Sequence, residues 1–169
     1  MKHIFCSKYY KDPSLALHFL NLHGLLTLEI VDLTYLSEKL FSKLLEKLTS
    51  LKYLIMKDIS FNRSIFSPNN TCILTNKWDD LCSLSITNSY LEDSGVITLA
   101  TTQNWKKIRE LILNSNQIKD AGAKAIAINK SWKNLITLEL ENNVIGKEGG
   151  LSLARLSDWQ SLKSSQFEK

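Results

Sequence analysis

IRELILNSNQIKDAGAKAIA, residues 108–127, joins two different periods within one short stretch. Ile108, Leu111 and Leu113 carry the apolar pattern, and the Leu111-x-Leu113 alternation predicts a short strand with one buried face. A polar turn around Asn116 follows. Beyond it, Asp120-Ala121-Gly122-Ala123-Lys124-Ala125-Ile126-Ala127 predicts a helix with Asp120 as N-cap, its carboxylate placed on otherwise unpaired backbone N–H groups.

The same unit recurs on both sides. Trp78, Trp105, Trp132 and Trp159 are all the tryptophan in the chain, and each lies 27 residues from the next. Three positions after each comes an aliphatic residue, Leu81, Ile108, Leu135 or Leu162. The strand pattern then repeats as Leu81-x-x-Leu84-x-Ile86, Ile108-x-x-Leu111-x-Leu113 and Leu135-x-x-Leu138-x-Leu140. Leu91, Ile118 and Ile145 continue the phase, as do Gly95, Gly122 and Gly149, then Leu99, Ile126 and Leu153. Asp93 stands where Asp120 does one unit later, whereas the next unit carries Lys147 there, which leaves its helix start less defined. The glycine column is expected to bring each helix close to the sheet. Toward the N-terminus Leu25-x-x-Leu28-x-Ile30 and Leu51-x-x-Leu54-x-Met56 hold the phase, with extra residues assigned to an irregular loop at 67–71. Asp12-Pro13-Ser14 and Gly24 bracket a helix at 13–22.

These units divide the chain into an N-terminal cap and partial unit (1–24), five units (25–50, 51–80, 81–107, 108–134, 135–161) and a truncated last strand (162–169). One unit cannot bury its own apolar face, but stacked neighbours can, so the fold class is an α/β solenoid with six parallel strands lining a concave side and helices on the convex side. The tryptophans should plug the helix-to-strand corners, each indole N–H meeting a backbone carbonyl.

The L-x-x-L-x-L strands, the Asn116 and Asn143 slots and the following helices resemble the leucine-rich-repeat family, specifically its ribonuclease-inhibitor-like subclass, over residues 13–167. That resemblance implies an inward-pointing asparagine bonded to the turn backbone, a role that Ser89, Ile59 and Leu33 fill incompletely in earlier units. It also implies a non-catalytic module for protein–protein recognition. Small proteins of this kind, rich in Lys, Asn, Ser and Ile, occur among effectors that intracellular bacteria deliver into a host cytosol. A cytoplasmic location or such delivery is therefore the expectation. The alternative that the resemblance offers is a regulator of a small GTPase, of the GTPase-activating type, but Arg63, Arg109 and Arg155 have no recognisable finger context.

Catalytic chemistry finds no foothold in the residues themselves. His3, His18 and His23 lie in the first 23 positions without a partner set, and Cys82 has no histidine near it in sequence. Gly146-Lys147-Glu148-Gly149-Gly150 is too short for a phosphate loop. Cys6, Cys72 and Cys82 form no CxxC pair, so neither a zinc site nor a disulfide framework is expected. No cofactor, metal or small-molecule substrate is expected. No apolar run approaches the ~18–20 residues of a membrane span, and the first residues lack the apolar core of a secretory leader.

Alternation does predict which side chains reach solvent on the concave sheet: Thr27, Glu29, Val31; Tyr53, Ile55, Lys57; Ser83, Ser85, Thr87; Glu110, Ile112, Asn114; Thr137, Glu139, Glu141. Four acids and one lysine make this face negative although the chain carries +4 overall. Positive charge gathers at the corners before the strands, at Lys77, Lys106, Lys107, Arg109, Lys130, Lys133 and Lys163, and stacking would align it as a basic rim. Tyr53, Ile55 and Ile112, ringed by Glu110, Glu139 and Glu141, form the expected binding centre for a protein partner, preferably a basic one. The acidic sheet beside the rim, and lysines without interleaved aromatics, speak against nucleic acid.

Overall fold

The computed structural model describes residues 3–7, 24–32, 45–46, 48–59, 78–101, 105–155 and 164–166. Within them, strands β1 (His3–Ser7), β2 (Thr27–Val31), β3 (Tyr53–Lys57), β4 (Ser83–Thr87), β5 (Glu110–Ile112), β6 (Thr137–Glu139) and β7 (Ser164–Gln166) form one parallel sheet in chain order. Each crossover returns the chain beside the strand it has just left, which is the topology of a solenoid. The sheet has seven strands where six were expected. The addition is β1, whose Ile4 and Cys6 pair in register with Leu28 and Ile30. The helix expected at 13–22, the loop at 67–71, Leu33, Cys72 and Trp159 lie outside the described residues.

Register aligns the repeat. Leu28, Leu54, Leu84, Leu111 and Leu138 are successive partners across the ladder. All five are at most 2% exposed, and they share one core with Leu25, Leu51, Leu81, Ile108 and Leu135. Helices α1 (Glu92–Thr101), α2 (Asp120–Ile128) and α3 (Lys147–Ala154) close that core from the other side through Leu99, Ile126 and Leu153, and pack on one another in series.

A left-handed residue follows each of the strands β2 to β6. Asp32, Asp58, Asn88, Ser115 and Asn142 occupy the same phase, with φ between 49° and 58°. Four of the five are Asp or Asn, the side chains that best tolerate this region. The backbone N–H groups of Asp32, Asp58, Asn88 and Ser115 donate to the carbonyls of Lys57, Thr87, Asn114 and Glu141. The ladder thus continues past the strands into the turn.

The asparagine slot works as the resemblance implied, and it works backwards along the chain. Asn116 is fully buried; its Oδ1 accepts from Ser89 N–H and Leu91 N–H, and its Nδ2 donates to the Ile86 carbonyl, all in the preceding unit. Asn143 repeats this on Asn116 N–H, Ile118 N–H and the Leu113 carbonyl. Ser89 is shorter and supplies one such acceptor, to Ile59 N–H at 3.1 Å.

The helix caps differ from expectation. Asp120 does not cap α2, whose N-cap position is Lys119 without a side-chain bond. Its Oδ1 instead accepts from Gly146 N–H (2.7 Å) and Gly149 N–H (2.9 Å) at the start of α3. Asp93 likewise accepts from Lys119 N–H and Gly122 N–H, both at 2.8 Å. Each aspartate caps the helix of the next unit. Lys147 therefore leaves its own helix start intact, because α3 draws its cap from Asp120. The glycines follow from the same geometry: a Cβ on Gly122 would lie 2.7 Å from Asp93 Oδ1 and 2.8 Å from Ile118 Cγ2. Close approach is to the preceding carboxylate and the turn isoleucine, not to the sheet.

The tryptophans need a second correction. Trp78, Trp105 and Trp132 are buried at the corners as expected, and Trp78 stacks on Trp105 with ring centroids 6.2 Å apart and planes 14° apart. The indole N–H groups of Trp105 and Trp132, however, have no hydrogen-bond partner. Burying ~150–250 Å² of indole at ~25 cal/mol/Å² contributes about 4–6 kcal/mol, against about 1–3 kcal/mol for one unpaired N–H. Packing wins. The polar closure of the corner falls to Asn129, which donates to the Ala100 carbonyl and accepts from Ser131 and Trp132 N–H.

Candidate functional site

The ladder arranges the outward side chains of the sheet in three rows. One row runs Thr27, Tyr53, Ser83, Glu110, Thr137; the next Glu29, Ile55, Ser85, Ile112, Glu139. The third begins Val31, Lys57, Thr87, and Asn114 and Glu141 extend it past the ends of β5 and β6. Every residue of the expected binding centre is thereby on one face.

Their surroundings differ in detail. Tyr53 is 43% exposed, and Lys57 and Glu110 are also exposed. Ile55 and Ile112 are half-buried rather than open, because neighbouring strands shield their flanks. Ser83, expected in solvent, is buried. Tyr53 beside it on β3 and Glu110 beside it on β5 are both longer. Asn114 is engaged within the sheet: its Nδ2 donates to Glu139 Oε2 at 2.9 Å and its Oδ1 accepts from Glu141 N–H at 2.8 Å. It positions the Glu139 carboxylate and the Glu141 backbone instead of presenting a free amide. Glu29, Glu110, Glu139 and Glu141 against Lys57 leave the face net negative.

The basic rim is not continuous. Lys106, Lys107, Arg109, Lys130 and Lys133 are exposed at the corners, while Lys77 and Lys163 lie outside the described residues. Asp79 and Asp80 occupy the same corner one unit earlier, and Lys107 Nζ pairs with Asp80 Oδ1 at 2.5 Å. The hydrogen bond and charge of Lys107 hold the Asp80 carboxyl below its ordinary range and, reciprocally, raise the Lys107 ammonium. Cys82, beside this pair, donates its thiol to the Asp80 carbonyl at 3.3 Å.

One surface had no counterpart in the sequence pattern. An open groove of about 540 Å³ lies between α1 and α2, lined by Ile97, Ala100, Thr101, Ala125 and Ile128 with the connection 129–131. Ile128 is 76% exposed. Its apolar surface does not recur, since Thr101 and Arg155 hold the phase of Ile128 in the flanking units. Among the described residues no three His, Cys, Asp or Glu side chains gather as a metal site, and no helix is long and apolar enough to cross a membrane.

The model of the family described as Leucine Rich repeat matches residues 106–127 and 133–154. Those spans contain β5 with most of α2, and β6 with α3, the two units that carry the slot asparagines Asn116 and Asn143. A search of curated proteins finds no match. Two matched units set in one continuous parallel ladder make this chain a leucine-rich-repeat solenoid.

Proposed function

We propose that the concave sheet is a recognition surface for a protein partner of net positive charge, and that the chain performs no chemistry of its own. Leucine-rich repeats generally serve as protein-binding scaffolds, which supports the first half at the level of the family. The observation that carries it to this face is the placement of Tyr53, Ile55 and Ile112 in two adjacent rows flanked by Glu29, Glu110, Glu139 and Glu141. Seven strands at ~4.8 Å spacing make a face about 29 Å across, enough for roughly 800 Å² of interface.

Helices of eight to ten residues in each described C-terminal unit support the ribonuclease-inhibitor-like subclass. The resemblance to delivered bacterial effectors supports action in a host cytosol, which a secretion reporter fused to this chain would test. The binding test is affinity capture from such a cytosol with the Tyr53→Ala/Glu139→Lys double variant alongside. Partners recovered by the parent and lost by the variant are the expected result; equal recovery would place the site elsewhere.

A further inference from the structure

Strand β4 is the low point of the concave face. Its outward side chains are Ser83, Ser85 and Thr87, all small, between Tyr53, Ile55 and Lys57 on β3 and Glu110 and Ile112 on β5, with Asn114 just beyond. The result is a trough along the strand direction, with a small hydroxyl floor reached at Ser85 and Thr87, Ser83 being covered by Tyr53 and Glu110, and an isoleucine on each wall. The wall backbones stand two strand spacings apart, ~9.6 Å, so an α-helix of ~10–12 Å diameter with its side chains rests on the wall tops and sends one row of side chains down between them.

We propose, resting on the concave-face reading above, that the partner enters this trough as one amphipathic α-helix with cationic residues along one flank. The backbone of β4 decides between helix and strand. It is hydrogen-bonded to β3 on one side and β5 on the other, so an extended segment lying over it finds no free N–H or C=O to pair with. A segment in the trough must bring its backbone already satisfied, and a helix does. Spacing agrees: rows along a strand recur every ~6.6 Å, and helix positions i and i+4 are ~6.0 Å apart. Two apolar side chains so spaced would meet the Tyr53/Ser83 and Ile55/Ser85/Ile112 rows in turn. Charge fixes the flank. Glu110, Glu139 and Glu141 lie on the β5–β6 side, with Glu139 held by Asn114, whereas the β2–β3 side carries Lys57 on the wall and the single acid Glu29 one strand beyond it. The helix therefore carries Lys or Arg toward β6.

The test uses the intact chain and a display library of random 20-residue peptides. Selected peptides are re-measured on Ser85→Trp, which fills the trough, on Thr87→Trp, which blocks its end, and on Tyr53→Ala/Glu139→Lys. Urea midpoints establish that each variant folds. The expected peptides weaken at least tenfold on either tryptophan variant, share apolar residues at i, i+4 and i+7 with flanking Lys or Arg, and gain helical circular dichroism on binding. Trough-dependent peptides with alternating or proline-rich patterns would overturn the helix and leave the concave reading standing. Peptides indifferent to every concave variant would overturn both, and an empty selection would overturn recognition of a single segment.

Discussion

A Cβ placed on Gly149 would stand 2.6 Å from Asp120 Oδ1, 2.8 Å from Ile145 Cγ2 and 3.0 Å from Ala123 Cβ. Helix propensity alone would favour alanine there by about 1 kcal/mol. The clash is with a carboxylate held by two N–H groups and with packed carbon, so Gly149→Ala is expected to destabilise by about 1–3 kcal/mol in urea titration. Combined with Asp120→Ala it should cost less than the two singles together, because the first obstacle is then gone. A gain in stability for Gly149→Ala would refute the close approach. The glycine column was visible in the sequence, but its reason was not: what crowds Gly149 belongs to residues 29 positions earlier as well as to its own turn. The left-handed column of Asp32, Asp58, Asn88, Ser115 and Asn142 was equally in view, and without a strand end to anchor it the shared phase reads only as polar turn.

Between elements, the test of direction is Asp120→Ala. Capping of α3 by Asp120 predicts faster amide exchange in α3, with α2 unaffected, and a loss of about 1–2 kcal/mol; faster exchange in α2 instead would restore self-capping. Asn116→Ala leaves Ser89 N–H, Leu91 N–H and the Ile86 carbonyl buried without it, and at ~1–3 kcal/mol per orphaned group a loss of about 3 kcal/mol or more is expected. Urea midpoints check this, with Asn116→Asp, which keeps the acceptor, falling between. The Asp80–Lys107 pair joins the corners of two units at the surface. Asp80 is shifted down from 3.8 and Lys107 up from 10.5, so the pair's contribution is present between those values. It is lost as pH falls through the lowered carboxyl or rises through the raised ammonium. Asp80→Asn should therefore differ from the parent by a small constant in midpoint across that window and converge with it below; a difference that grows on acidification would contradict the assignment. Strand β1 belonged to the same repeat all along, as Met1-x-x-Ile4-x-Cys6, but its unequal spacing to Leu28 hid it from a search at 27 residues.

Among the described residues the acids of the strands share the concave face, and the basic rim is interrupted where Lys107 pairs with Asp80. Alternation assigned the outward strand positions to one face, because parallel in-register pairing preserves phase from unit to unit. Counting lysines alone left out Asp79 and Asp80, which hold the equivalent corner one unit earlier, where Asp80 pairs with Lys107. The half-burial of Ile55 and Ile112 depends on the size of neighbours across strands, information that no single unit holds. Stability should likewise be a nearest-neighbour property, so Asn116→Ala and Gly149→Ala, at different joints, are expected to add more nearly than Asp120→Ala with Gly149→Ala.

The two connections between units run in opposite senses: carboxylates reach forward from Asp93 and Asp120, and carboxamides reach back from Asn116 and Asn143. On a ribosome this makes assembly vectorial. α2 and α3 would emerge to find their caps already made, whereas the turns that Asn116 and Asn143 close would stay open until those asparagines follow. Across these joints the growing end is half-closed, and a unit transplanted here from another protein would need a predecessor with the aspartate and a successor with the asparagine.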